Sequence, residues 1–470
     1  MLPGGTFPAA GSAVEAEAER LKAKSAWKSA TVGVCLVRVS DGQVVASYNA
    51  DASLVPASTM KAVTTASGLE LLGPDFRFET KLALAGTVDE NGTLDGDVVI
   101  VGGGDPTLGE GDLYGPVSQW RAALEKAGIK KVTGRIVADQ SAWETALIPR
   151  SWVWEDIGNY YASGACALNY HANEYRLNFA PGRTGAIARF TSTSPRVEGV
   201  TFFNEMRTGA PGSGDQGYVF GAPYSDVRYL RGTVPGGRSS FSIRGSLPDP
   251  PLFLAGFFKK YLEGKGIAVE GEATTSRLLA ADGEKVPTGE VLDTRRSSTL
   301  GALIRKTNHD SVNIRAEAIL KAIGKEVKQD GSTKAGAAAV TAHWKAQGVA
   351  LAGFDMADGS GLSRVNLLSA RQLAGLMRAM AQSEHFDAFY QSLPVAGRSG
   401  TLRSIGGGTA AEGRVVGKSG TINRIKCYTG YVNGRSGTRY AFAILVNNYA
   451  GTHGTTVSYI ASLMAKMAVQ

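Results

Sequence analysis

The texture of the chain changes twice along its length, and this limits its possible folds more than any other feature of the sequence. "AVEAEAERLKAKSAWKSA", from Ala13, reads as a charged helix. "TVGVCLVRVSDGQVVASYNA" follows as two apolar strands about an Asp41-Gly42 hairpin signal. A helix then opens near Pro56 and stops at Gly73-Pro74. From about Ala83 to Pro287 the chain becomes turn-rich and strand-like, in runs such as "TLDGDVVIVGGGDPTL", "KVTGRIVADQ", "EYRLNFAPG" and "FSIRGSLPDPP", with one helix in "PLFLAGFFKKYLEGKG". After Leu292 helices return, in "TLGALIRKTNHDSVNIRAEAILKAIG", "TKAGAAAVTAHWKAQG" and "SARQLAGLMRAMAQ". Antiparallel strands turning at Asn433-Gly434 and a last helix, "TTVSYIASLMAKMA", close the chain. No repeat is present. The pattern predicts an α+β, multidomain protein in which a long, turn-rich, mainly β block, read as an insertion or a set of small domains, separates two mixed segments.

Composition narrows the function. Of 470 residues 43% are hydrophobic and 20% charged, which is enough for a sizeable core. Sixty glycines exceed the usual ~7% and favour turns and strands over a helical bundle. The net charge is +8 and the pI near 9.2. A basic surface suits an anionic polymer such as a cell wall, or a membrane face. No dense Lys/Arg block with interleaved aromatics points to nucleic acid. Cys35, Cys166 and Cys427 make neither a disulfide framework nor a zinc set, and the five histidines are scattered, so no metal is expected. No apolar run is long enough to span a membrane. The opening "MLPGGTFPAAGS" reads as a flexible tail and lacks the pattern of a signal peptide. The chain is either cytosolic or the mature form of an exported protein.

Three short motifs carry chemistry. In "PASTMK", Ser58 and Lys61 lie three apart at the start of an apolar helix, so their side chains share a face. A serine hydroxyl becomes a nucleophile once a base takes its proton, and a lysine serves when burial or another cation lowers its pKa. A helix N-terminus adds backbone N–H groups suited to an oxyanion. Ser25 and Lys28 in "SAWK" repeat the spacing but are read as the solvated face of the first helix. Ser311 and Asn313 stand two apart just ahead of a helix, where either would also serve as a cap. Lys418, Ser419, Gly420 and Thr421 follow an apolar run; the glycine lets a ligand backbone approach, while an edge strand guarded by lysine is the plainer reading. "GGGDPTL", from Gly102, lacks the Gly-Lys-Ser/Thr of a phosphate loop and is read as a structural turn.

In this order, Ser-x-x-Lys, Ser-x-Asn and Lys-Ser-Gly form the constellation of penicillin-binding proteins and class A β-lactamases. The chain resembles most closely the class C low-molecular-mass penicillin-binding proteins, the D-alanyl-D-alanine carboxypeptidase/endopeptidases that carry a large insertion. Ser58 and Ser311 are 253 positions apart, whereas Ser311 and Lys418 are 107 apart; simple β-lactamases have no such block between their first two motifs. "GGGDPTL", "WVWEDIGNYYASGACALN", "DGSGLSR" and "GRSGTLR" extend the resemblance over nearly the whole chain after residue 30. Two positions depart from the usual motifs without losing the functional groups: Val312 stands where Asp or Asn is common, and Ser419 where Thr is usual.

The resemblance implies a β-lactamase/transpeptidase-like core, an antiparallel sheet flanked by helices, in residues 1–85 and 290–470. It implies one insertion domain in 86–170 and 265–289 and a second in 171–264. It implies peptidoglycan stem peptides as substrate and β-lactam antibiotics as inhibitors, with no cofactor. Ser58 would be the nucleophile and Lys61, kept neutral by Lys418, the proton acceptor. Ser311 and Lys418 would return the proton to the leaving amine, and Asn313 would orient Lys61 and the substrate amide. The N–H groups of Ser58 and Thr421 would hold the oxyanion, and the Ser419 and Thr421 hydroxyls the terminal carboxylate. Asp156 would recognise the amine end of the stem-peptide side chain. The expected location is periplasmic or extracytoplasmic, with an export signal already removed and with peripheral membrane or wall contact among the open readings. A β-lactamase or esterase, and a non-catalytic wall-binding homologue, remain the alternatives.

Overall fold

The computed structural model describes residues 12–470; the tail read in residues 1–11 lies outside them. The chain divides into two compact units. The first holds residues up to Phe76, Thr299–Val312 and Thr333–Gln470; the second holds Arg77–Ser298 and Asn313–Ser332.

The first unit is built on one antiparallel sheet. β1 (Thr31–Arg38) and β2 (Val44–Tyr48) come from the start of the chain. β3 (Val415–Ile422), β4 (Ile425–Asn433) and β5 (Arg439–Asn447) come from its end. The order is β3-β4-β5-β1-β2, so β1 lies against β5 with Val34 opposite Ile444, and β3 is an edge. β1, β4 and β5 are almost wholly buried, as unbroken apolar runs such as "VGVCLV" and "AFAILV" require. α1 (Ala13–Lys22) and α7 (His453–Met467) share a core with the sheet through Val14, Leu21, Val34, Phe442, Ile460 and Leu463. α2 (Met60–Leu72) is buried along its first ten residues, as its near-absence of charge predicts. Trp344 in α5 (Thr333–Ala346) donates its ring N–H to Ser67 Oγ at 2.7 Å, giving a buried polar atom its partner.

One expectation is corrected here. The first helix ends at Lys22, so Ser25 and Lys28 lie in turns and not on a helix face. The cause is Trp27, which is wholly buried, packs edge-on to Tyr459 at 5.4 Å and donates to Thr456 Oγ1. Burying so large a ring outweighs one more turn of helix.

The second unit contains a seven-stranded sheet around the antiparallel pair Glu79–Val88 and Thr93–Gly102, and further sheets of three and four strands. Its two main cores are distinct. Trp120, Leu254 and Phe258 centre one, where helices Gly115–Lys126 and Pro250–Glu263 pack with the larger sheet. Tyr175, Phe179, Met206 and Ile243 centre the other. α4 (Asn313–Lys328) belongs to this unit. Lys321 Nζ donates to the carbonyls of Ala146 and Ala165 at 2.7 and 2.9 Å, and Arg315 pairs with Glu110 at 2.5 Å. The "GGGDPTL" stretch is a loop in which Asp105 accepts from Thr107 N and Oγ1.

Candidate active site

The approach to Ser58 is fixed before the helix begins. Asn447, the last residue of β5, clamps Val55 from both sides: its Oδ1 accepts from Val55 N at 2.9 Å and its Nδ2 donates to Val55 O at 3.0 Å. Ala57 then adopts φ +49, which a non-glycine residue rarely holds. Such a backbone persists only where its surroundings impose it, and it clusters at functional sites. Ser58 sits in a single 3-10 turn, Ala57–Thr59, that leads into α2.

Lys61, in the first turn of α2, is wholly buried. Its Nζ donates to Ser58 Oγ at 2.9 Å and to the carbonyl of Ser360 at 2.6 Å. Asp358 shapes the loop that presents Ser360: its carboxylate accepts from Gly361 N, Ser363 N and Asn366 Nδ2 at 2.6–2.7 Å. Gly361 has φ +78, and a Cβ there would stand 1.9 Å from Ala57 O. The loop therefore reaches the Ser58 turn only because this residue is glycine.

Ser311 caps the end of α3 (Leu300–Asp310) in the left-handed region, φ 62 and ψ 43. Its Oγ accepts from Lys418 Nζ at 2.9 Å. Lys418 lies on β3, wholly buried, and also donates to Ser419 O at 2.7 Å. Burial, then the charges of Lys61 and Lys426, hold its pKa well below that of an ordinary lysine. Ser419 Oγ donates to Thr401 Oγ1 at 2.8 Å. Gly420 faces the serine turn so closely that a Cβ would lie 2.7 Å from Pro56 O and 2.9 Å from Ser58 N. Thr421 is exposed, and its Oγ1 accepts from Lys426 Nζ at 2.6 Å.

Thus the first unit holds two short Lys–Ser contacts drawn from three remote stretches of sequence. Asn313 and Asp156 belong to the second unit. Asn313 opens α4 and donates from Nδ2 to Tyr161 O at 2.6 Å; Asp156 Oδ1 accepts from Tyr161 OH at 3.1 Å. Tyr161 therefore ties the two together, and burial beside the Asp156 carboxylate raises its phenol pKa.

Sequence reasoning singled out neither Tyr161 nor Ser360 and Thr401, although each lies in a stretch that carried the family resemblance. It also passed over Lys426, whose only signal is its place in the β3–β4 register. Among the described residues no group of three or more His, Cys, Asp or Glu could hold a metal ion, and no helix is long and apolar enough to cross a membrane.

The chain is 31% identical, over 91% of its length and 79% of its relative's, to a D-alanyl-D-alanine carboxypeptidase of Actinomadura sp. (strain R39). The solved structure of penicillin binding protein 4 (dacB) from Haemophilus influenzae superposes with a TM-score of 0.81 at 24% identity, covering 96% of this chain and 97% of that one. The same Haemophilus protein complexed with a β-lactam gives 0.78 at 23% identity over 96% and 99%. The fold is therefore the expected one: a β-lactamase/transpeptidase-like α+β core with a large, mainly β insertion. The pattern of the D-Ala-D-Ala carboxypeptidase 3 (S13) family matches residues 14–468, nearly the whole length, and the chain belongs to that family of serine peptidases.

Proposed function

We propose that the protein is a serine D-Ala-D-Ala carboxypeptidase/endopeptidase that cleaves peptidoglycan stem peptides through an acyl-enzyme on Ser58 and is inhibited by β-lactams. The observation that carries this reading is the 2.9 Å contact between Ser58 Oγ and the buried Lys61 Nζ. A peptide ending in D-Ala-D-Ala lies along edge strand β3 and extends the sheet by backbone hydrogen bonds. Lys61 takes the Ser58 proton as Oγ attacks the penultimate carbonyl. The backbone N–H groups of Ser58 and Thr421 receive the oxyanion. Gly420 supports this, because without a side chain it lets β3 approach the serine turn.

The leaving D-Ala amine needs a proton. Ser311 relays one, a reading supported by the hydrogen bond that its Oγ accepts from Lys418 Nζ. Two amines in one buried cluster cannot both stay charged cheaply, which supports a neutral Lys61 or Lys418 during the cycle. Water then frees the acyl-enzyme, whereas a β-lactam follows the same route and stays attached. The Ser419 and Thr421 hydroxyls take the terminal carboxylate. For Asn313 the reading rests on its position two residues after Ser311, and for Asp156 on the resemblance alone. The substrate places the protein outside the cytoplasm, where a net charge of +8 suits peripheral contact with the anionic wall or membrane face.

The test is the intact mass after incubation with a labelled penicillin, with the adduct mapped, in wild type and Ser58→Ala. One adduct on the Ser58 peptide, absent from the variant, is expected, together with release of D-Ala from a pentapeptide. An adduct elsewhere, or rapid turnover of penicillin without release of D-Ala, would overturn the reading.

A further inference from the structure

Thr421 and Lys426 are directly opposed in the β3–β4 hairpin, so their side chains share one face of the sheet. Ser419, two residues along β3, belongs to the same face. Lys426 is 6% exposed and its Nζ lies 5.0 Å from the centroid of the Tyr428 ring. It donates to Thr421 Oγ1, and Thr421 is open to solvent. Among the described residues no carboxylate forms an ion pair with Lys426. A buried cation without a counter-ion is unfavourable, and here it stands one hydroxyl away from the surface where substrate lies in the proposed function.

We propose that Lys426 is the cation of the terminal-carboxylate subsite: held on Thr421 Oγ1, its ammonium gives the enzyme its preference for a peptide that ends in a free carboxylate. The proposal rests on the Ser58 acyl-enzyme reading and deepens it. The Ser419 and Thr421 hydroxyls already favour an ionised carboxylate over an amide, and Lys426, by donating to Thr421 Oγ1, turns the Thr421 O–H toward the substrate and adds a positive charge behind it. The ammonium widens that preference, because its attraction to the substrate requires the substrate end to carry a charge. Lys426 also acts on the chemistry at a distance, since its charge is among those that hold down the Lys418 pKa.

The preference has a built-in pH dependence. Burial lowers the Lys426 pKa to about 8, with the Cys427 thiol opposing the shift. The other groups that face it are Tyr428 on its own strand, Thr421 and Lys418 on β3, and His453 at the start of α7. The substrate carboxylate stays ionised throughout. As pH rises past 8, Lys426 loses its charge and preference for the free acid falls.

The experiment compares kcat/KM for a D-Ala-D-Ala-terminated pentapeptide with that for its C-terminal carboxamide, from pH 6.5 to 9.5. Taking the ratio cancels any titration that changes turnover of both substrates alike. Wild type should favour the acid by about tenfold to a hundredfold near pH 7, with the ratio decaying through about pH 8. In Lys426→Met the ratio should fall by about tenfold and lose its decay through pH 8, with the loss in KM for the acid; Lys426→Arg should restore it. A Lys426→Met enzyme that keeps the wild-type ratio overturns the proposal, and so does an equal fall for both substrates. If that variant fails to fold, the wild-type profile decides alone: a ratio unchanged from pH 6.5 to 9.5 overturns it. Wild type that turns over neither peptide and acylates no serine sinks the Ser58 reading and this proposal together, an outcome distinct from loss of selectivity alone.

Discussion

Lys418 Nζ donates to Ser311 Oγ at 2.9 Å, joining residues 107 positions apart in sequence. The amine is wholly buried, and its pKa is pushed far down, first by burial and then by Lys61 and Lys426. The sign of its effect on stability follows. A lysine whose folded pKa lies below its unfolded value is neutral over a pH range in which the unfolded chain still binds the proton. Stability therefore rises with pH between the two values, and the penalty is largest below the folded pKa. Replacing Lys418 with Met should stabilise the first unit by about 1–2 kcal/mol at pH 6, with the gain shrinking toward pH 10. Acylation by penicillin should fall by about a hundredfold or more. Thermal melts at the two pH values, read beside acylation rates, check both halves. A variant less stable than wild type at pH 6 would contradict the argument.

Lys61→Ala removes the amine 2.9 Å from Ser58 Oγ and the donor to Ser360 O. If Lys61 takes the serine proton, the acylation rate should drop by about 10²–10⁴-fold. Stopped-flow acylation with a fluorescent penicillin measures this directly. Acylation at the normal rate would remove Lys61 from the role of base.

Ser311 holds a left-handed backbone that glycine adopts without strain and alanine does not. Ser311→Gly and Ser311→Ala both delete the hydroxyl that Lys418 reaches, so both should lose a similar, large part of peptide turnover. Their stabilities should part: the glycine variant within about 1 kcal/mol of wild type or above it, the alanine variant below the glycine one. Chemical denaturation of the two side by side measures the difference. Equal stabilities would mean that the backbone at Ser311 carries no strain.

Much of this site was legible because its parts are local patterns. The Ser58–Lys61 spacing, the Ser-x-Asn motif that begins at Ser311 and the β3 run with Gly420 each declare themselves within a few residues, and Ser58, Lys61, Ser311, Lys418 and Gly420 are the members that the first unit brings into short contacts. What was hidden depends on long-range packing. The carbonyl of Ser360 binds Lys61 with a backbone atom that any residue could supply, so no side-chain motif records it. The end of α1 at Lys22 is set by Trp27 reaching α7, more than 400 positions away. Lys426 acquires its place from the two-residue turn that fixes the β3–β4 register, with Ile422 opposite Ile425; a one-residue slip would have turned it to the other face.

Gly420 is the last of the motif residues whose identity the geometry explains, and it separates a packing role from a chemical one. A Cβ at this position would meet Pro56 O at 2.7 Å and the N atoms of Ser58 and Thr59 at 2.9 Å. All three are backbone atoms, so no side chain can swing aside to make room. Gly420→Ala must instead push β3 away from the serine turn, displacing Thr421 N–H relative to Ser58. Overpacking of this kind costs about 1–3 kcal/mol, and a shift of a few tenths of an ångström at an oxyanion site should slow acylation by about tenfold or more. Gly256→Ala is the matched control: it lies inside helix Pro250–Glu263 with nothing within 4 Å of the added carbon. There alanine should stabilise by up to about 1 kcal/mol through helix propensity and leave acylation unchanged. Penicillin acylation and thermal melts on the two variants give the comparison. A Gly420→Ala enzyme with wild-type acylation would show that β3 and the Ser58 turn need not approach this closely for the chemistry.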